Sequence, residues 1–262
     1  MKDSPIGIFD SGIGGLSILR EIRTLLPNES IIYLADSKNC PYGGKTKNKV
    51  YMLAKERLAY LLDCDVKIIV IACNTVTVSC IDELRKDFPK VPIVGIVPVI
   101  KRAAELSKKR KIGVLSTSTT SKSEYQARLI HQYASFCEVV SIGTDDLVPF
   151  IEKGAVDSFE FDQVLKKTLA PFTNMSIDTL ALGCSHFPLI RDKIEDILGK
   201  GVLVLDSGGA VARHVQRVLL QENILSDTNT HSIEYLTTGD IENFKKLVKG
   251  VMGDESGTIR AI

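Results

Sequence analysis

The chain has 262 residues, of which 44% are hydrophobic and 25% charged, with a formal net charge of +1. This composition is typical of a globular protein with one large or two medium domains, and its balanced charge gives no reason to expect nucleic acid or an anionic membrane as a partner. No apolar run reaches the ~18 residues that a membrane span needs, and the N-terminus lacks the apolar segment of a signal peptide. The six cysteines show neither disulfide-scaffold spacing nor a CxxC pair. We therefore expect a cytoplasmic protein with reduced thiols and no metal site.

Short apolar segments alternate along the chain with longer amphipathic ones. The predicted strands are residues 6–9, 31–34, 67–72, 93–97, 112–115, 139–142, 179–182 and 202–205. The predicted helices are residues 16–26, 45–62, 75–88, 98–109, 123–132, 159–172, 188–198 and 207–221. Most of the strands are continuously apolar, as in parallel sheets that are covered on both faces. The order predicts an α/β fold built from βαβ units.

An internal repeat indicates two similar halves. Residues 179–186 (TLALGCSH) follow the pattern of residues 68–75 (IIVIACNT), with an offset of 111 between the two cysteines. Residues 113–117 and 203–206 repeat residues 7–11 and 94–97 at similar offsets. We therefore predict two pseudo-symmetric α/β domains, each a mainly parallel sheet flanked by helices. The first comprises residues 1–97 plus 207–262, the second comprises residues 98–206, and the active site lies at their interface.

Cys73 and Cys184 occupy equivalent positions, each directly after an apolar strand. A single buried cysteine most commonly just packs, but ligands of open parallel sheets bind beyond the carboxyl ends of the strands, where both thiols are expected. Two thiols that face one small substrate from opposite sides suit the removal of a proton from one face of a carbon and its replacement on the other. A nearby positive charge or helix N-terminus lowers a thiol's pKa enough for this chemistry.

The turn at residues 12–15 (GIGG) does not predict a dinucleotide site. The GxGxxG pattern would need a third glycine where the chain has Ser17, and Asp10 would lie close to the phosphates.

Five motifs occur in the same order as in bacterial glutamate racemases. These are FDSGIGGL at residues 9–16, PYG at 41–43, ACNT at 72–75, LVPFIEKG at 147–154 and GCSHFPL at 183–189. The chain closely resembles that family from about residue 5 to about residue 250. The resemblance implies that the protein interconverts L- and D-glutamate without a cofactor. This reaction would supply D-glutamate for peptidoglycan. It also implies two pseudo-symmetric domains with the site between them, no nucleic acid or membrane partner, and a homodimer.

The resemblance also assigns roles to individual residues. Cys73 corresponds to the base that acts on D-glutamate and Cys184 to the base that acts on L-glutamate. Asp10 corresponds to the acid that supports the first thiol, His186 to the imidazole that supports the second, and Glu152 to the acid that contacts this histidine. The residues that match substrate contacts are Ser11, Tyr42, Gly43, Asn74, Thr75, Thr117, Thr120 and Ser185. Taken alone, each polar residue at such a turn is at least as often a helix cap.

The remaining cysteines, Cys40, Cys64, Cys80 and Cys137, match no catalytic motif and are interpreted as structural. The chain also departs from the resembled pattern at Val76, Thr77, Ser185 and Val97, where Ala, Ser, Thr and Glu are usual. It lacks the N-terminal extension through which some members respond to a cell-wall precursor, so we do not expect that activation.

Two other functions remain open on sequence grounds. One is racemisation of aspartate or another amino acid by a member of the same superfamily. Aspartate racemases carry Glu at the position of His186, which argues against that alternative. The other is a two-lobed amino-acid-binding protein, which would need polar groups but not two exchangeable protons on opposite faces.

Overall fold

The computed structural model describes residues 2–228, 231–253 and 257–262, and over these ranges ten strands form two fully parallel sheets. The strands are β1 (Ile6–Asp10), β2 (Ile31–Ala35), β3 (Ile68–Ile71), β4 (Ile93–Gly95), β5 (Lys111–Ser116), β6 (Glu138–Gly143), β7 (Thr179–Gly183), β8 (Leu203–Leu205), β9 (Ile233–Thr237) and β10 (Thr258–Ala261). The first sheet has the order β10-β9-β2-β1-β3-β4 and the second the order β6-β5-β7-β8. The predicted fold class is thereby confirmed.

Helices cover both sheets. They are α1 (Leu16–Leu25), α2 (Lys47–Asp63), α3 (Asn74–Asp87), α4 (Ile100–Leu106), α5 (Ser118–Ser121), α6 (Glu124–Tyr133), α7 (Val148–Glu152), α8 (Phe159–Met175), α9 (Arg191–Leu198), α10 (Gly208–Gln221) and α11 (Ile241–Met252). Side-chain caps begin several of them; Thr46, for example, accepts a hydrogen bond from Lys49 N at the start of α2. Across the described residues, no helix combines the length and the apolar character needed to cross a membrane.

The central strands β1, β2, β3 and β7 are buried throughout because the core lies on both faces of each sheet. In β1, Ile6 and Ile8 belong to one apolar cluster, whereas Phe9 belongs to another on the opposite face. The cluster of Ile6 and Ile8 also contains Leu115 and Leu182 of the second sheet, so the two halves share a continuous core. All four strands of the second sheet fall within residues 98–206. The domain boundaries near residues 97 and 207 stay a proposal, which this division of the strands supports.

The structure differs from the sequence-based expectation mainly in short or late elements. The sequence patterns do not predict β9, β10, α5, α7 or α11, and α4 is shorter than expected. The predicted helix at residues 188–198 instead begins as a 3-10 turn, Phe187–Ile190, which continues into α9. Pro188 has no backbone N–H to donate within that turn. As a result, the helix that follows Cys184 begins seven residues after it, whereas α3 begins directly after Cys73.

Candidate active site

A small cavity lies between the carboxyl ends of the strands of the two sheets. It is lined by Ser11, Pro41, Tyr42, Gly43, Cys73, Asn74, Thr75, Thr117, Val148, Cys184, Ser185 and His186. The free volume of this cavity is only about 10 Å³, which is room for about one water molecule. The cavity in this structure is therefore too small for an amino acid, and its lining must move before one can enter.

Cys73 reaches this cavity from the first sheet. It caps the N-terminus of α3, directly after β3, and its side chain is buried. Its Sγ lies 3.6 Å from Oγ of Ser11. Burial raises the pKa of the Cys73 thiol far above its usual value, and the negative charge of Asp10 raises it further. The thiol is consequently neutral when the cavity is closed.

Cys184 reaches the same cavity from the second sheet and has a different neighbour. Its Sγ lies 3.9 Å from Nδ1 of His186, while Nε2 of that ring lies 2.6 Å from Oε1 of Glu152. Glu152 ends α7 and is held by the backbone N–H of Ile13, which donates to Oε1 at 2.7 Å. The sequence expectation that residues 184, 186 and 152 lie together therefore matches the geometry.

The histidine in this chain of contacts favours its protonated form. Burial opposes the charge, but hydrogen bonds with Cys184, Cys40 and Glu152, together with the charge of Glu152, outweigh burial and raise the pKa of His186 well above its usual value. An imidazolium beside a sulfur stabilises the thiolate. The two thiols therefore have unequal neighbours, because a protonated imidazole lies beside Cys184 and a neutral hydroxyl lies beside Cys73.

Asp10 ends β1 beneath the cavity and joins the two halves. Its Oδ2 accepts a hydrogen bond from Gly15 N at 2.9 Å, and its Oδ1 accepts one from Ser185 Oγ at 3.2 Å. The residue is completely buried but does not line the cavity. Burial raises the pKa of the Asp10 carboxyl, against the opposing effect of the nearby His186 charge. Asp10 therefore contacts the cavity lining through Ser185 and not the cavity itself.

The polar lining contains one conspicuous group without partners. Both amide atoms of Asn74 are buried, and neither has a hydrogen-bond partner in the described part of the chain. By contrast, Thr75 and Thr117 share a hydrogen bond of 2.9 Å across the cleft, and Thr117 donates to Thr120 at 3.0 Å. An unpaired buried amide is costly, so Asn74 is a natural place for a polar ligand.

Two of the predicted contact residues are placed differently from the others. Thr120 lies behind Thr117 rather than at the cavity surface, and the Tyr42 hydroxyl donates to Asp36 at 2.7 Å. Tyr42 and Gly43 nonetheless line the cavity. Ser11 and Ser185 also line it, as expected, while Glu152 lies behind His186.

The glycine-rich turn brings the first half close to the acid and the imidazole of the second. A Cβ on Gly12 would collide with Oε1 of Glu152, and a Cβ on Gly14 would lie 2.5 Å from Nδ1 of His186. Glycine is needed at these positions because of this close approach.

Sequence reasoning missed three neighbours of the site. Pro41 and Val148 line the cavity, and the Cys40 thiol lies close to both His186 and Glu152. Burial raises the pKa of Cys40 to about 11, although its hydrogen bond to His186 acts in the opposite direction. Cys40 directly precedes the PYG motif, and that adjacency was the one available signal.

Comparisons with known proteins agree with this geometry. A profile of the Asp/Glu/hydantoin racemase family matches residues 7–215. The chain is 45% identical to glutamate racemase of Herpetosiphon aurantiacus over 94% of this chain and 97% of that protein. Its structure resembles glutamate racemase of Bacillus anthracis, with a TM-score of 0.90, 31% identity and coverage of 100% and 98% of the two chains. It also resembles the Escherichia coli enzyme solved with L-glutamate and an activator, with a TM-score of 0.87, 31% identity and coverage of 99% and 98%.

Proposed function

Because the chain belongs to the glutamate racemases of the Asp/Glu/hydantoin racemase family, we propose that it interconverts L- and D-glutamate by proton transfer at Cα between Cys184 and Cys73. It is an amino-acid racemase by that membership. The observation that carries the mechanism is that two thiols from equivalent strand ends of opposite halves line one cavity.

The unequal neighbours of the two thiols decide which thiol accepts the α-proton and which thiol donates one. With L-glutamate, the Cys184 thiolate beside the His186 imidazolium accepts the α-proton. Cys73, kept neutral by burial, donates its proton to the opposite face and yields D-glutamate. With D-glutamate, Cys73 is the base and Cys184 the acid. Both transfers are assigned to side chains, and no cofactor is part of the proposal.

The intermediate carbanion needs stabilisation of the substrate's carboxylate. The amide of Asn74, which has no hydrogen-bond partner among the described residues, is suited to bind it at the N-terminus of α3. Free backbone N–H groups and the helix dipole favour an anion there. The hydroxyls of Ser11, Thr75, Thr117 and Ser185 and the backbone of Tyr42–Gly43 complete the binding surface, and Thr120 orients Thr117. Such preorganised donors stabilise charge that develops in the transition state.

The wider setting of this activity is also a proposal. We propose that the product D-glutamate serves peptidoglycan synthesis, that the protein works in the cytoplasm, and that it is a homodimer. Light scattering on the purified protein tests the last point, and a monomer mass at assay concentration would contradict it.

Racemisation of L-glutamate in deuterated water tests the two-base scheme. The thiol that acts as the acid exchanges its proton with solvent, so deuterium should enter D-glutamate early. The thiol that acts as the base holds only the proton it has removed, so the remaining L-glutamate should keep its protium. Early deuterium in the unreacted L-glutamate would instead indicate a single base. The same assay with aspartate tests the alternative substrate.

Variants of each thiol complete the test. We expect Cys73→Ala and Cys184→Ala each to lower turnover by at least about 100-fold, because each removes a general acid/base. Cys137→Ala, at a half-buried thiol that does not line the cavity, is the matched control and should retain activity. A fully active Cys73 or Cys184 variant would refute the scheme.

A further inference from the structure

Three side chains beside the active-site cavity form a cluster of metal-ligand types. A sulfur of Cys40, a ring nitrogen of His186 and a carboxylate oxygen of Glu152 all lie within 4.8 Å of one another. They come from the turn before Pro41, the turn after β7 and the end of α7, so their spacing along the chain gives no metal motif. In the described part of the chain, this is the one group of three such ligands so placed.

From this cluster we propose that Cys40, Glu152 and His186 form an inhibitory binding site for Zn²⁺. Thiolate, imidazole and carboxylate are zinc ligands, whereas Mg²⁺ and Ca²⁺ prefer oxygen ligands alone. Zinc bonds of about 2.0–2.3 Å place the ligand atoms of a tetrahedral site roughly 3.3–3.8 Å apart, so small shifts of side chains would close this group around an ion. On binding, the Cys40 thiol and the His186 imidazolium each lose one proton to solvent.

The surroundings supply the other features of a zinc site. Ile13 N donates to Oε1 of Glu152 at 2.7 Å, and Oγ of Ser185 lies 3.5 Å from Nδ1 of His186, so both ligands already have orienting partners. Glu152 also lines a second, open cavity of about 470 Å³ beside Ser37 and Asp240, which gives an ion a path from solvent. Three protein ligands leave a fourth position for water.

Occupation of the site would stop turnover. The ion replaces the proton in the 2.6 Å contact between His186 Nε2 and Glu152 Oε1. Because the ring is then bound to the ion, it can no longer be the imidazolium that stabilises the Cys184 thiolate. This consequence depends on the proposed roles of His186 and Glu152, whereas binding of the ion does not.

Binding of Zn²⁺ to the metal-free protein, measured by competition with a chromophoric chelator, tests the site itself. We expect Cys40→Ser to weaken the tightest Zn²⁺ equivalent by at least about 100-fold, because even residues that only orient a ligand contribute 10–100-fold. Cys137→Ser, at another half-buried thiol, should bind as the unmodified protein does. Co²⁺ should give a thiolate charge-transfer band that is absent in Cys40→Ser. Equal affinity in Cys40→Ser, or a band that persists there, would overturn the site and would indicate that Cys73 and Cys184 bind the ion.

Racemisation assays then test inhibition. One equivalent of Zn²⁺ should abolish glutamate racemisation by the unmodified protein and by Cys137→Ser, and a chelator should restore it. Undiminished racemisation at saturating Zn²⁺, with binding that depends on Cys40, would overturn the inhibitory role. An unmodified protein that lacks racemase activity would refute the proposed function alone, and the binding assay would still decide the site.

Discussion

Nε2 of His186 lies 2.6 Å from Oε1 of Glu152, and this contact connects α7 to the turn that carries Cys184. The carboxylate raises the pKa of the histidine, which burial alone would lower. We therefore propose that Glu152 acts at a distance from the reacting carbon, by keeping the imidazole beside Cys184 protonated.

Glu152→Gln should narrow the pH range of activity with L-glutamate. The amide keeps an acceptor for Ile13 N but removes the charge, so the pKa of His186 falls. Since the imidazolium stabilises the Cys184 thiolate, kcat/KM for L-glutamate should decline at a lower pH than in the unmodified protein. Steady-state rates across pH in both directions measure this shift. Glu160→Gln, at an exposed position in the first turn of α8, is the control, and an identical alkaline limb in both variants would contradict the role.

Asp10→Asn should raise stability while it lowers activity. Burial raises the pKa of Asp10 above its ordinary 3.8, so the ionised carboxylate destabilises the fold above that pH, and the cost is complete above the raised folded-state pKa. Asparagine removes this cost and can keep the hydrogen bond from Gly15 N. Thermal unfolding near neutral pH should therefore show a more stable variant, with an advantage that shrinks as pH falls towards about 3.8.

Turnover of Asp10→Asn should fall by about 100-fold if the carboxylate supports proton transfer at Cys73. Asp3→Asn, at an exposed position, should change neither property. A destabilised Asp10→Asn at neutral pH would show that the carboxylate's hydrogen bonds outweigh its desolvation.

Asn74→Leu should weaken substrate binding while it stabilises the fold. Leucine has nearly the shape of asparagine and removes two buried atoms that have no partner in the described structure, so the free energy of unfolding should rise by about 1 kcal/mol. The KM for glutamate should rise at least about tenfold, because a donor to the substrate is lost. Thermal unfolding with and without glutamate, together with steady-state rates, measures both. Asn48→Leu, at an exposed position of α2, should leave KM unchanged, and an unchanged KM in Asn74→Leu would remove Asn74 from the binding surface.

Gly14→Ala should disturb the site through packing. The added methyl would lie 2.5 Å from Nδ1 and 2.7 Å from the backbone N of His186, and the backbone contact cannot be relieved by a rotamer change. We expect a loss of about 1–3 kcal/mol of stability and a clear loss of turnover. Gly250→Ala is the matched control, because nothing lies within 4 Å of the added atom in α11, and there alanine should be neutral or stabilising by up to about 1 kcal/mol. Equal stability of the two variants would contradict the close approach.

The sequence by itself determined the architecture and identified the two thiols as the candidate acid and base. Short, β-branched, continuously apolar runs such as residues 68–71 favour buried strands, and their repetition before Cys73 and Cys184 predicted two halves with a thiol at each equivalent strand end. The local sequence pattern was sufficient to predict these strands, because the burial and the end of a strand depend on residues that are adjacent in sequence. It was insufficient for α7, which has only five residues, and for β10, whose sequence TIRA is mostly exposed and not continuously apolar.

Only the tertiary structure decided the unequal environments of the two thiols. Ser11 beside Cys73, Glu152 against His186, and Cys40 beside both of the latter are contacts between residues that are distant in sequence. Burial and charge set a pKa, and both depend on which distant segments pack together. The sequence could therefore name the two thiols, but their unequal neighbours and the cluster of Cys40, Glu152 and His186 follow from how distant segments pack together.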